Sequence, residues 1–226
     1  MKLVRANSLA DTLDNINEVF FYQHPLSKSD REEAAKWLAS RRGKQGSYAG
    51  MFAPTEQDFS KNVKLFTGEK VSSRAAIGHI LGEEASRALI LLKSKNAEVQ
   101  DALKRATDGM LKRIDEYGPK NRGFYCCGIC SASLWHHLAV NGLDHSEKRL
   151  LNGIKTLKSY RKGNGEWGRF PFYYTLLVLS EIDLKPAIDE IRYAAPACEQ
   201  RLKRVKSDNK YSCRRQDLLK RVLAKC

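Results

Sequence analysis

Residues 153–182, GIKTLKSYRKGNGEWGRFPFYYTLLVLSEI, restrict the fold of this chain more than any other stretch. Leu150, Ile154, Leu157 and then Tyr160 recur every three or four residues, the apolar stripe of an amphipathic helix. Gly163 and Gly165 end that helix, since only glycine takes the left-handed backbone without steric cost. Pro171 suits the first turn of a second helix, where a missing N–H costs nothing. That helix (Phe172, Tyr173, Leu176, Leu177, Val178, Leu179) is apolar nearly all round, which predicts that other helices surround it. Trp167 falls in the joint between the two.

Weaker copies precede this unit. One has Trp37 and Leu38, Arg42, and the turn Gly46, Ser47, Tyr48. Another has Gly109, Ile114, Tyr117, Gly118, the turn Arg122, Gly123, Phe124, and an apolar helix over residues 128–140. The turn aromatics Tyr48, Phe124 and Trp167 are 76 and 43 residues apart, which fits a period near 40 with one degenerate copy in the longer gap. Such periods belong to stacked helix pairs.

The spacing from Trp37 and Leu38 through Arg42 to Gly46 and Tyr48, and from Leu157 through Arg161 to Gly165 and Trp167, resembles the repeat of the terpenoid cyclase and protein prenyltransferase superfamily. Arg42 and Arg161 stand where that repeat has Gln. The resemblance implies an all-α fold of repeated helical hairpins, an open or partial α/α toroid, whose concave face binds isoprenoid-like molecules. The family's catalytic motifs do not follow. There is no Asp-x-Asp-Asp, no Asp-Asp-x-x-Asp and no Asp-x-Cys, and Tyr174 in Tyr173-Tyr174-Thr175 occupies the place of the zinc-binding His. The expectation is therefore a non-catalytic or diverged member that binds an apolar small molecule or a peptide among aromatics: Tyr48, Phe124, Trp135, His136, Trp167, Tyr173 and Tyr174. An enzyme acting on isoprenoid-like substrates through unrecognised groups is a further alternative.

Charge suggests another partner. The net charge is +14, and residues 196–226 hold ten Lys or Arg against three acids, half of the excess. A basic C-terminal helical segment over about 197–226, through Arg201, Arg204, Arg214, Arg215, Lys220 and Arg221, would attract nucleic acid or an acidic partner. No helix-turn-helix or zinc-finger spacing accompanies it, so sequence-specific reading is not expected. No apolar run approaches the roughly 20 residues of a membrane span, and no signal-peptide core follows Met1. These features place one domain, residues 1–226, in the cytoplasm.

The six cysteines match no disulfide framework and are read as reduced. Cys127, Cys130 and His137 would share one helical stripe with adjacent Cys126, a thiolate and imidazole set that suits zinc. One straight helix offers ligands from one side only, so neither a metal nor a cofactor is expected. His79 and Glu83, four residues apart beside Glu84, read as a surface hydrogen bond.

Overall fold

Polar side chains start the first four helices. Ser8 accepts the Asp11 amide and opens α1 (Leu9–Tyr22). Ser27 accepts the Asp30 amide at the head of α2 (Lys28–Ala39), which leaves Ser29 inside the first turn. Thr55 and Asp58 form a reciprocal capping box on α3 (Glu56–Ser60). This helix is a short one. The chain turns into an antiparallel hairpin, β1 (Val63–Lys64) against β2 (Lys70–Val71). Ser73 then caps α4 (Arg74–Leu92). The remaining helices are α5 (Ala97–Tyr117), α6 (Gly128–Leu138), α7 (Ser146–Ser159), α8 (Phe172–Ser180), α9 (Lys185–Leu202) and α10 (Lys210–Leu223).

This computed structural model describes residues 2–117, 123–206 and 208–226. Met1, Gly118, Arg122 and the Tyr117 side chain, used in the sequence reading, lie outside the described residues. Among the described residues the chain is all-α apart from the two short strands. None of the described helices is long and apolar enough to cross a membrane.

The helices pack in two rows. In one, α4 lies on α6, α6 on α8 and α8 on α10; in the other, α2 meets α5 and α7 meets α9. Between the rows α2 packs on α4, α6 on α7, α8 on α9 and α9 on α10; of these only α2 with α4 spans a repeat turn, and α6–α7 and α8–α9 join successive units. As its composition requires, α8 is closed in by α6, α9 and α10, and Tyr174 to Ser180 are all buried. The two turns with the clearest repeat spacing have the same local form. Arg42 bridges to Phe52 and Arg161 to Trp167 as isolated antiparallel pairs. Among the described residues no degenerate helix pair fills the long gap between turns; α3 and the hairpin are an insertion ahead of α4. Pro196 does not break α9, which runs through it while packed on α7, α8 and α10.

The first row returns to α1 at both ends, through α4 and α10. Arg214 on α10 is buried and pairs with Asp14 and Glu18, donates to the Phe66 carbonyl at 3.2 Å and lies over the Phe66 ring. Tyr22 donates to Asp217 at 2.8 Å, and Arg221 donates to the Phe21 carbonyl at 2.5 Å. Arg214→Met keeps the apolar stem but leaves two carboxylates facing it. A loss of about 2–3 kcal/mol in unfolding free energy is expected, read as a lower urea midpoint. A shift below about 0.5 kcal/mol would show that this joint does not form in solution.

Candidate functional site

Two clusters of titratable side chains lie on the α4–α6 contact. The first fills its centre. His136 on α6 places Nδ1 2.7 Å from Glu84 and Nε2 3.1 Å from Glu181. Arg87, one turn along α4 from Glu84, pairs with Glu181 and donates to Asn17 at 3.0 Å. The Tyr174 hydroxyl donates to Glu84. With a carboxylate on each ring nitrogen, His136 donates from both and carries a proton. Two cations thus face two carboxylates.

Opposing effects set the protonation states. Burial pushes the Glu84 carboxyl up, but His136, Arg87 and the Tyr174 hydroxyl outweigh it and hold the group down to about 2. Glu181 is lowered in the same way, burial being outweighed by His136 and Arg87. Burial and Arg87 lower His136, yet the two carboxylates leave it raised. A cleft of about 20 Å³, room for one water, reaches Glu84 and Tyr174 between Asn17 and Lys64.

The second cluster sits at the start of α6. Cys126 has a left-handed backbone, φ 64°, and Cys127 is the N-cap, φ −144°. Gly128 opens the helix, and a Cβ there would come within 1.9 Å of the Arg169 carbonyl oxygen, so only glycine lets the chain pass so close. Ser131 fixes the loop, taking the Tyr125 amide at 2.7 Å and lying 2.7 Å from the Cys127 carbonyl. The Cys127 and Cys130 sulfurs are 3.4 Å apart. Cys127 is half-buried, Cys130 buried and Cys126 exposed. The hydrogen bond from Cys130 lowers the Cys127 thiol to about 5 against the effect of burial, with the Cys130 and Ile129 amides of the helix N-terminus adding to it. Cys130, holding the shared proton and buried beside Glu83, is raised.

His79 on α4 joins these thiols. Its ligand nitrogen and the Cys126 and Cys130 sulfurs all lie within 4.8 Å of one another. Its ring stacks on Tyr48 at 4.2 Å and meets the edge of Tyr125 at 4.6 Å. His79 and Glu83 are 2% and 0% exposed, so they form a buried pair and not the expected surface one. His137 is absent from this cluster. Cys127 precedes the helix and is not on its stripe, while His137 lies at the far end, packed so closely on Gly142 that a Cβ there would come within 2.2 Å of its ring. Burial lowers its pKa to about 4 and keeps it neutral.

The other expected site residues are spread through the packing. Trp135 stacks on Phe170 and donates to the Gly123 carbonyl, and Phe124 lies between Phe170 and Tyr160. Trp167 donates to Glu190, which also pairs with Arg161. Tyr174 and His136 belong to the ionic network. Trp135, Trp167 and Tyr174 are at most 2% exposed, whereas Tyr48, Phe124 and Tyr173 are half-buried. Most of the basic candidates are engaged internally. Besides Arg214 and Arg221, Arg201 pairs with Glu166 over Phe172, and Arg215 donates to the Thr67 carbonyl over Tyr173. Arg204 and Lys220 are exposed.

No protein-family profile, curated protein or solved structure matched the chain when each was compared with it. What stands is the class: an all-α protein with a buried ionic core and a cysteine pair at a helix start.

Proposed function

We propose that the chain is a short relative of the α/α-toroid proteins whose chemistry is thiol–disulfide exchange at Cys127 and Cys130. Two rows of helices, one returning to α1, support the first part. The second part rests on one observation: two thiols 3.4 Å apart at the N-terminus of α6, the first reachable and the second buried behind it. This is the arrangement in which a Cys-x-x-Cys pair attacks and then resolves.

The chemistry runs in two displacements. The Cys127 thiolate attacks one sulfur of a substrate disulfide; the substrate S–S bond breaks, and the second sulfur leaves as a thiolate that takes a proton from water. Cys130 gives up its proton and attacks Cys127 Sγ, which breaks the mixed disulfide and releases the other substrate sulfur. The substrate gains two electrons and two protons, the chain holds a Cys127–Cys130 disulfide, and an external thiol restores it.

Equilibration in glutathione buffers, read by alkylation and mass, tests this. A Cys127–Cys130 disulfide with a potential between about −270 and −120 mV is expected, the range of exchange-active pairs. Cys127→Ser should abolish both the disulfide and the reduction of a model disulfide. A potential below about −300 mV would mark the pair as a structural staple, and failure to form the bond would remove the proposal.

A further inference from the structure

We propose that the reduced cluster is also a zinc site, with Cys126, Cys130 and His79 as ligands and Cys127 as the fourth. This deepens the dithiol reading, because an ion held there keeps the Cys127–Cys130 pair reduced until an oxidant displaces it.

The donors fit the ion. Ligand atoms about 2.0–2.3 Å from tetrahedral zinc lie roughly 3.5–3.8 Å from one another. The Cys126, Cys130 and His79 atoms are within 4.8 Å of one another and form the core of the shell; Cys127 lies outside that group but 3.4 Å from Cys130, and would turn toward it as the fourth ligand. Three thiolates and one imidazole form a set that selects zinc over harder cations. The ligands approach from α4, from the loop leading into α6 and from the first turn of α6, which removes the difficulty of a single helix trying to surround a metal.

A second observation points to a cation. Glu83 is fully buried, and neither of its carboxylate oxygens has a hydrogen-bond partner. His79 Nε2 is 3.1 Å from Glu83 Oε1 but lacks a hydrogen bond of proper geometry as well. An uncompensated buried carboxylate is costly. A carboxylate beside a metal-bound histidine is the usual outer partner that fixes the ring and balances the ion's charge. Glu83 stands in that position, one helical turn from His79.

Cobalt titration into the reduced protein, followed by zinc back-titration, tests the site. Wild-type protein should bind one Co²⁺ per chain with intense thiolate-to-cobalt charge-transfer absorption, and zinc should remove the band. Cys126→Ser changes an exposed side chain and should lower zinc affinity by about 100-fold or more. His79→Gln should do the same; because His79 is stacked between tyrosines, its circular dichroism is recorded alongside, and the Cys126 variant decides if it fails to fold. Absence of the band in wild-type protein overturns the proposal, as does a band that persists unchanged in Cys126→Ser. The dithiol reading is judged separately, on Cys127–Cys130 disulfide formation in metal-free wild-type protein, so the two can fail independently.

Discussion

Glu84→Leu is expected to lower the unfolding free energy by about 3–5 kcal/mol, the range for removing one member of a buried charged set. Leucine approximates the volume, so the loss reports charge and hydrogen bonding more than a cavity. Without Glu84, His136 and Arg87 share Glu181 alone, and the Tyr174 hydroxyl loses its acceptor in a site with little water. Total stabilities near 5–15 kcal/mol make this a large fraction. Glu84→Gln keeps the shape and part of the hydrogen bonding and should cost less, about 2–3 kcal/mol. Urea denaturation of both variants checks the order. Changes below about 1 kcal/mol in both would mean that the four charges do not hold α4, α6 and α8 together.

The helices were legible where the code is local. Ser8, Thr55 and Ser73 cap as their chemistry suggests, and the extents of α4 and α5 follow their apolar stripes. The Ser29-Asp-Arg-Glu32 stretch has the spacing of a capping box, yet Ser27 accepts the Asp30 amide and caps the helix two residues earlier. The β1–β2 hairpin was hidden because two-residue strands show no alternation. An interior proline costs about 3 kcal/mol in an isolated helix; α9 runs through Pro196 while packed on three neighbouring helices.

The site was less legible, for a different reason. Cys127 and Cys130 stand out in the sequence, but helical spacing links them to His137. The actual partner, His79, lies on another helix 47 residues before Cys126, and no spacing rule links them. Glu84 and Arg87 are one turn apart and could be paired by eye, whereas Glu181 and His136 meet them only through the packing of α4, α6 and α8. The basic C-terminal segment shows the same limit of local reading. Arg214 and Arg221 count as surface charge in the sequence, yet they are the ties that bring α10 back to α1.

Stability is expected to peak near pH 6.5 and to fall on both sides, because adjacent histidines on α6 are shifted in opposite directions. His137 is held down to about 4 by burial. Its contribution is present above the unfolded value of about 6.5 and is lost as pH falls toward 4, because the unfolded chain takes the proton first. Its shift corresponds to a loss on the order of 3 kcal/mol. Glu84, held near 2, adds a further loss on the order of 3 kcal/mol between about pH 4.5 and 2, and Glu181 acts in the same direction. His136 has the opposite sign. Its folded pKa is raised, so its contribution is complete below about 6.5 and is lost as pH rises through the folded value. The groups facing it are Glu84 and Arg87 from α4, Tyr174 from α8 and Glu181 just beyond it. Urea midpoints measured from pH 2 to 9 should therefore trace a dome, and His137→Gln, which cannot titrate, should flatten its limb between pH 4 and 6.5. Stability that climbs steadily from pH 6.5 to 8.5 would show that His136 is buried neutral, and the paired-cation account of the core would then fail.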